Sequence, residues 1–159
     1  MSYSRVETLL PTEIVLGRGI GPIRFGMYPE ETMKVLGDPS TTDLRHPKKG
    51  VGAVIHHYPQ HGLDLTFDEE DEHRLAYIDI TDGSFILMNA LSLGMSWDDC
   101  LEATKGLGLG LPHEERCVSW DLLCYHGHSL MCWFHDKTLS KISFGHYWSR
   151  EGQPLWPEG

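Results

Sequence analysis

The feature that most constrains the fold of this chain is a pattern that it contains twice. The stretch IRFGMYPEETMKVLGDP covers residues 23–39, and LSLGMSWDDCLEATKGLGLGLP covers residues 91–112. Each begins with a short alternating apolar piece, passes through Gly-Met into an acidic segment with helical character, and ends at glycine and proline. Because self-similarity at a long spacing is the signature of repeated structural units, the sequence predicts one small unit that occurs twice.

Further positions match when the two copies are aligned on their Gly-Met pairs. Tyr58 aligns with Tyr125, and Phe67 aligns with Phe134. The alignment slips where the acidic stretch DEEDEH of the first copy is shortened to HDKT in the second. A slip confined to a turn is typical of duplicated units, because turns tolerate insertions better than strands do.

Each copy is predicted to begin with a short helix. In the first copy, Pro29 lies in the first turn of YPEETMKVLG, and Gly37 and Pro39 end the segment. In the second copy, Ser96 is a candidate N-cap before WDDCLEATKG. The residues expected to form the buried stripes are Met33, Val35 and Leu36 in the first helix, and Trp97, Cys100, Leu101 and Thr104 in the second.

Alternating stretches rich in β-branched and aromatic residues follow each helix and predict strands. The predicted strands are Val51–Tyr58, Leu63–Phe67 and Arg74–Thr81 in the first copy, and Cys117–Tyr125, Ser129–Phe134 and Leu139–Trp148 in the second. The connections PQHG, DEEDEH, HG and HDKT are short enough for antiparallel hairpins. The sequence therefore predicts an α+β fold of two tandem helix-on-antiparallel-sheet repeats, in residues 1–84 and 85–159, packed as one compact unit.

Side chains alternate between the two faces of each predicted strand. Leu63, Leu65 and Phe67 point to the side that the helix is expected to cover. An uncovered sheet face is normally polar, yet aromatic and methionine side chains fall on it here among charges, which is typical of a protein-binding surface. The residues expected to bind a partner there are Tyr77, Asp79, Met131, Trp133, His135, Lys141 and Tyr147. Burial of this face between the two sheets, or in a homodimer, remains open.

The acidic hairpin tip DEEDE is expected to extend this partner-binding surface. It comprises Asp68, Glu69, Glu70, Asp71 and Glu72. Calcium binding is not expected, because the central glycine and final glutamate of an EF-hand loop are missing. A cluster of carboxylates at a turn attracts a basic partner and accelerates association more than it strengthens the final complex.

Charge and composition exclude several classes of function. The chain of 159 residues has 13 basic and 23 acidic side chains, for a net charge of −10. Nucleic acid is therefore not an expected partner, since its phosphates require a basic surface. No apolar run approaches a membrane span, and the start MSYSRVETLLPTEIVLG lacks the features of a leader. We expect a cytoplasmic protein, either a monomer or a homodimer.

Histidines and cysteines do not form a recognisable chemical motif in this sequence. His56 and His57 would point to opposite faces of a strand, while His126 and His128 flank a hairpin glycine. None of the four cysteines forms a CxxC pair, and no GxSxG motif is present. We therefore expect no metal site, no cofactor, no catalytic residues and no enzymatic activity.

The order strand, Gly-Met, helix, LGDP and three strands resembles the small outer-membrane-assembly lipoproteins of the SmpA/OmlA type. Gly26, Met27, Leu36, Gly37 and the following Asp-Pro match the signature of that family, and the second copy keeps its Gly-Met. Two such units in tandem are similar to the beta-lactamase inhibitory protein family, in which a concave sheet grips an enzyme. The resemblance spans roughly residues 14–148. It implies a tandem helix-on-sheet fold and a role in protein binding.

These observations lead to one functional hypothesis and one alternative. The first is a non-catalytic protein-binding module, an inhibitor or bacterial immunity protein that neutralises a basic toxin or enzyme by direct binding. The alternative is a small-ligand or metal-binding protein that uses a cleft between the repeats lined by histidine and aromatic side chains. The sequence leaves both open.

Overall fold

The computed structural model describes residues 13–45, 52–82 and 85–157. Within these ranges the chain forms two helices, α1 at Pro29–Leu36 and α2 at Trp97–Lys105. The strands are β1 Ile14–Val15, β2 Gly19–Ile20, β3 Ile23–Arg24, β4 Thr41–Arg45, β5 Ala53–Tyr58, β6 Leu63–Asp68, β7 Arg74–Ile80, β8 His113–Arg116, β9 Asp121–Tyr125, β10 Leu130–His135, β11 Thr138–Gly145, β12 Tyr147–Trp148 and β13 Pro154–Leu155.

One large antiparallel sheet organises the described chain. Its eight strands lie in the order β4-β5-β6-β7-β11-β10-β9-β8. Strands β4–β7 follow α1 and strands β8–β11 follow α2, and the two sets meet where β7 pairs with β11. Strands β1–β3 form a separate small sheet, and β12 and β13 form a hairpin.

The predicted fold class, an α+β fold of two tandem helix-on-antiparallel-sheet repeats, is wrong. The described chain is mostly strand, its helices have only 8 and 9 residues, and its strands form one eight-stranded sheet. Two separate four-stranded sheets would expose the backbone donors and acceptors of β7 and β11 as edges. Pairing β7 with β11 satisfies those groups, with Ile78 opposite Phe144 and Ile80 opposite Ile142.

The two Gly-Met dipeptides have the same structural role at different places in the sheet. Gly26 N–H donates to the Leu75 carbonyl at 2.9 Å, and Leu75 N–H donates to the Met27 carbonyl at 2.7 Å. At the other position, Gly94 and Met95 exchange two bonds of 2.8 Å with Leu139. Both glycines have a positive φ, 94° and 100°, which a residue without Cβ adopts readily. The dipeptide therefore anchors the start of each helix to β7 or β11.

One face of the large sheet forms the core of the molecule. The helices, the β1–β3 sheet and the segment after β7 pack against it. The burial pattern of β6 alternates without exception, and Leu63, Leu65 and Phe67 are buried as the sequence predicts. In the other half, Leu130, Cys132 and Phe134 of β10 are buried in the same way. The alternation read from the sequence thus identifies the covered face.

Both predicted helices are present, but the residues predicted to be buried agree with the structure only in α2. In α2, Trp97, Cys100 and Thr104 are buried and Leu101 packs at their edge. In α1, the buried residues are Thr32 and Leu36, and Val35 is exposed. Thr32 is accommodated because its hydroxyl donates to the Pro29 carbonyl at 3.0 Å.

The polar edge strands and the hairpin near the end of the chain were not predicted. Strands β4 and β8 have the sequences TTDLR and HEER, and every residue in them is exposed. Their lack of apolar alternation hides them from a pattern-based search, although charged residues are common on exposed edges. Strand β13 pairs with β12 in a segment that reads as loop in the sequence.

Some sequence-based predictions fall outside the described residues. The proposed boundary after residue 84 lies in an undescribed stretch, so the division into residues 1–84 and 85–159 stays a prediction. The same applies to Val51 at the start of a predicted strand and to most of the segment searched for a leader.

We predict that Phe67→Ala lowers the free energy of unfolding by about 3–5 kcal/mol, because the ring is fully buried and its removal leaves a cavity. Urea denaturation followed by circular dichroism measures the change. Val118→Ala, at a fully exposed position, is the matched control and should change stability by less than about 0.5 kcal/mol. Equal effects of the two substitutions would contradict the assignment of the covered face.

Candidate functional site

A groove crosses the face of the large sheet opposite the core, directly over the junction of β7 and β11. Within residues 13–45, 52–82 and 85–157 no helix packs on this face, which is therefore the uncovered face of the sheet. Its cavity has a volume of about 400 Å³. Six adjacent strands, from β4 to β10 in sheet order, contribute to its lining together with the acidic turn after β6. The lining residues are Arg45, Ala53, Thr66, Asp68, Glu70, Tyr77, Asp79, Met131, Trp133, Lys141 and Ser143.

Irregularities in β6 and β10 contribute to the shape of this face. The register of β6 against β7 shifts between Thr66 and Phe67, and that of β10 against β11 shifts between Trp133 and Phe134. Such bulges bend a strand and increase its twist. Both bulges lie next to groove residues, one in each half of the sheet, so they help to form a concave surface.

Most of the predicted partner-binding residues lie in the groove. Tyr77 and Asp79 of β7 lie on one side of the central junction, and Met131, Trp133 and Lys141 lie on the other. All five are partly exposed, in agreement with the alternation predicted from the sequence. The structure therefore brings residues from distant parts of the chain onto one surface.

A hydrogen-bonded chain connects three groove residues across the junction. The Trp133 indole Nε1–H donates to the Ser143 hydroxyl oxygen at 3.1 Å. The Ser143 hydroxyl in turn donates to the Asp79 carboxylate at 2.5 Å. Ser143 is itself buried, so this chain fixes the orientation of the indole and of the carboxylate at the floor of the groove.

The Asp79 carboxylate lies in an electrostatically unfavourable position. It stands directly opposite Asp64 on β6. Burial raises the pKa of Asp79, the Ser143 hydrogen bond and Lys141 oppose this, and the Asp64 charge adds to the increase. Like charges at opposed positions of antiparallel strands destabilise a sheet. Asp79 is thus held in place at a cost to the stability of the fold.

The negative charge of Asp64 is partly balanced by His57 on the adjacent strand β5. His57 Nδ1–H donates to Asp64 at 2.9 Å, and its Nε2–H donates to Asp43 on the edge strand β4 at 2.7 Å. Burial alone lowers the pKa of His57, but the hydrogen bonds to Asp64 and Asp43 outweigh it and raise the pKa above 6.5. This pair of bonds links three strands beside the groove.

The tryptophan side of the groove combines an aromatic surface with a cation. Lys141 Nζ lies over the Trp133 ring, 5.1 Å from its centroid. The Trp120 ring packs edge-on against Trp133 at 6.4 Å and is 40% exposed. Aromatic surface therefore continues beyond the groove itself.

Only some carboxylates of the predicted acidic turn line the groove, and others bond elsewhere in the protein. Asp68 and Glu70 line the groove. Glu69 accepts a hydrogen bond from Gly52 N–H at 3.0 Å, and Asp71 accepts one from His146 Nε2 at 3.3 Å. The remaining member of the turn, Glu72, is exposed. Only two of the five carboxylates are therefore available to a ligand in the groove.

Burial and neighbouring carboxylates shape the electrostatics at this end of the groove. Burial raises the pKa of Asp68, and the charges of Asp71 and Glu70 add to the increase. The same two carboxylates, with Asp68, also raise the pKa of Tyr77 after the effect of burial. Burial and the neighbouring carboxylates therefore both disfavour the charged form of Asp68.

Two predicted residues lie away from the groove. His135 is exposed beside Trp120, with 5.3 Å between the ring centroids, and its Nδ1–H donates to the Ser119 carbonyl at 3.3 Å. Tyr147 packs on Gly17, where a Cβ atom would come within 2.6 Å of its ring. His135 thus extends the tryptophan side of the surface, whereas Tyr147 joins the sheet to the β1–β3 segment.

Sequence reasoning missed several groove residues. Arg45 belongs to the unpredicted strand β4. Ala53 and Thr66 are small side chains at outward positions, with no composition that attracts attention. Ser143 also lies at an outward position, opposite Asp79. Alternation could have identified all three residues on β5, β6 and β11, whereas Arg45 required the fold.

Three of the four cysteines are buried and are not activated as nucleophiles. Burial raises the pKa of Cys100 to about 12, and burial likewise raises the pKa values of Cys124 and Cys132. A thiol with a raised pKa remains protonated at neutral pH and reacts slowly. Cys124 Sγ lies 3.4 Å from His126 Nδ1, outside the groove.

The described residues contain neither a metal-binding cluster nor a membrane-spanning helix. No group of three or more histidine, cysteine, aspartate or glutamate side chains in those residues has an arrangement that could hold a metal ion. In the same part of the chain, no helix has the length and apolar character needed to cross a bilayer.

Comparisons with known proteins give little information about this chain. No protein-family model and no curated protein matches it. Among solved structures, it is similar to an extracellular protein containing an SCP domain from Bacillus anthracis str. Ames, with a TM-score of 0.44 and 11% identity. The match covers 84% of this chain and 49% of the other, so this chain spans about half its length. A likeness at this level supports no conclusion about function.

We predict that Asp79→Asn raises the free energy of unfolding at neutral pH by up to about 1 kcal/mol. The amide removes the charge that burial and Asp64 disfavour, and its oxygen still accepts the Ser143 hydrogen bond. Thermal and urea unfolding measure the change. Asp64→Asn is the matched control, and it should lower stability because its charge pairs with His57. Destabilisation by both substitutions would contradict the proposed conflict at Asp79.

We predict that His57 stabilises the fold most strongly at low pH. Its folded-state pKa is raised above the unfolded value of 6.5, so its contribution is complete below that pH and disappears as the pH rises through the folded-state pKa. The stability difference between the wild type and His57→Gln, measured by urea unfolding between about pH 5 and 9, should therefore shrink as the pH rises. A constant difference would show that the two carboxylates do not act on the imidazole.

Proposed function

We propose that this chain is a non-catalytic protein-binding module that holds a basic protein against the uncovered sheet face. The observation that carries the proposal is the groove over the β7–β11 junction. Its lining combines Trp133, Met131 and Tyr77 with the carboxylates of Asp68 and Asp79. Aromatic and methionine side chains are enriched where proteins bind one another, and carboxylates select a partner of opposite charge.

The organisation of the groove favours binding over catalysis. Ser143 donates to the Asp79 carboxylate, which has the chemistry of a general base, but the serine is buried and its oxygen already accepts from the Trp133 indole. A serine nucleophile must present its oxygen to a substrate as well as lie beside a base. Burial raises the pKa values of the Cys100 and Cys132 thiols and keeps them protonated. These contacts support a binding role for the groove over a catalytic one.

The charge of the whole chain supports a basic partner. A net charge of −10 attracts a cationic protein over a longer range than the groove contacts do, and it accelerates encounter. Inhibitors and immunity proteins need fast and selective association with one target enzyme. We therefore propose that the partner is a basic toxin or enzyme that this protein neutralises by direct binding.

A small cationic ligand in the same groove is the second candidate. The cavity volume of about 400 Å³ lies in the range of small-molecule sites. The lining residues include carboxylates and aromatic rings but no histidine, unlike the cleft expected from the sequence. The exposed Trp120 beside the groove favours a protein partner, because a small molecule would leave that ring uncovered.

We predict that a photo-crosslinking residue at position 131, in place of Met131, captures a basic protein in an extract of the source organism. The groove location brings position 131 close to any partner on this face. The same residue at position 118, which is fully exposed outside the groove, is the control. Mass spectrometry identifies the adducts, and an adduct specific to position 131 is the expected result.

Once the partner is purified, its affinity for this protein can be measured directly. Trp133→Ala should weaken its binding by at least about tenfold, as removal of a central aromatic contact does. Circular dichroism should show an unchanged fold, because the ring lies on the uncovered face. Equal capture at both positions, or loss of the fold in Trp133→Ala, would overturn the proposal.

A further inference from the structure

The groove has the chemistry to bind one particular side chain of a partner. We infer that it receives an arginine of the partner protein, with the guanidinium group at Asp79 and the side-chain stem between Tyr77 and Met131. This inference rests on the proposed function, which it makes more specific by naming the group that is recognised. It follows from the charges, the free acceptor positions and the aromatic surface of the groove.

The carboxylates in the groove have acceptor capacity that the protein does not use. In the described part of the chain, the one hydrogen bond to the Asp79 carboxylate comes from Ser143. Arg45 and Lys141 influence Asp79 through space, but neither forms an ion pair within 4.0 Å among the described residues. A carboxylate offers about four acceptor positions. Most of the positions on Asp79 are therefore open to a donor from outside.

A ligand cation would relieve the unfavourable position of these carboxylates. Burial raises the pKa values of both Asp79 and Asp68, and neighbouring carboxylates add to both increases. A positive charge beside Asp79 would offset its repulsion by Asp64 and replace lost solvation. The free protein thus keeps in the groove a charge at Asp79 that becomes favourable when a cation arrives.

Guanidinium fits this groove better than ammonium does. It is flat, presents five donors in a fork that matches carboxylates, and stacks on aromatic rings. Tyr77 and Trp133 provide such rings on either side of the β7–β11 junction. The Lys141 ammonium already lies over the Trp133 ring, 5.1 Å from its centroid, which shows that this ring attracts a cation.

The surroundings favour an arginine that belongs to a protein over a free small molecule. Trp120 lies next to Trp133 and outside the groove, and it is 40% exposed. Leu122 of β9 stands opposite Trp133 and continues the same apolar surface toward the edge of the sheet. A partner that inserts an arginine would cover these residues with the neighbouring parts of its own surface.

Lys141 acts as a competing cation in this arrangement. Its partly exposed side chain reaches over Trp133 from β11, at the rim of the groove. An incoming guanidinium must tolerate or displace this charge. Removal of the charge should therefore strengthen arginine binding, whereas removal of the Asp79 charge should weaken it. Opposite effects from two groove residues are not expected if the substitutions merely disturb the fold.

The test uses blocked arginine, N-acetyl-arginine-N-methylamide, as the probe and the full-length protein as the receptor. The probe is titrated while the indole N–H resonance of Trp133, assigned with Trp133→Phe, is followed by NMR. Blocked citrulline, which has nearly the shape of arginine but no charge, is the ligand control. We expect millimolar binding of the arginine probe and no saturable shift with citrulline.

Three variants make the test specific. Asp79→Asn should weaken binding of the arginine probe by about tenfold, the effect of one charge-assisted hydrogen bond. Lys141→Met should strengthen it by about threefold, as loss of a nearby like charge does at the surface of a protein. Asp98→Asn, at an exposed carboxylate in the first turn of α2, should leave it unchanged.

The possible outcomes distinguish this inference from the proposed function. Equal shifts with arginine and citrulline, or equal affinities of Asp79→Asn and Asp98→Asn, overturn the arginine site. Tighter binding of blocked lysine than of blocked arginine also overturns it. If position 131 captures a basic protein while blocked arginine fails to bind, the arginine site is wrong and the protein-binding function stands. If arginine binds in the predicted order, the inference is supported independently of the crosslinking result.

Discussion

Antiparallel pairing between β7 and β11 is the contact on which the rest of the molecule depends. It joins four strands that follow α1 to four strands that follow α2, and it places Asp79 beside Ser143 at the centre of the sheet. On the covered side, Ile78 and Phe144 meet in the core. On the other side, the same pairing creates the floor of the groove. One set of backbone hydrogen bonds thus determines both the interior and the candidate binding surface.

The groove illustrates a conflict between stability and recognition. Asp79 stands opposite Asp64, and burial makes its charge still less favourable. His57 offsets part of this conflict by bonding to Asp64, and the Ser143 hydroxyl offsets another part. A sheet selected for stability alone would carry neutral side chains at these central positions. Sites of recognition often carry groups that weaken the fold, and the proposed binding role would account for the cost at Asp79.

The sequence was informative where local patterns decide the structure. Alternation located Phe67 and Phe134 in the core and Trp133 on the open face, and the caps and breakers located both helices. The sequence did not predict the fold class. No local pattern in β7 or β11 indicates that they pair with each other rather than form the edges of two separate sheets. The strand that carries Arg45 was also missed, since an exposed edge needs no apolar alternation. Long-range pairing and polar edges are therefore the properties that required the structure.

The location of the groove at a junction between distant parts of the chain has a consequence for biosynthesis. Asp79 and Ser143, which bond across the junction, lie 64 residues apart in sequence. A ribosome must therefore release the chain through the end of β11 before both walls of the groove can exist together. An incomplete nascent chain, or a fragment left by proteolysis, would present carboxylates without the tryptophan wall. A partner that recognises both walls would engage only finished, correctly folded molecules.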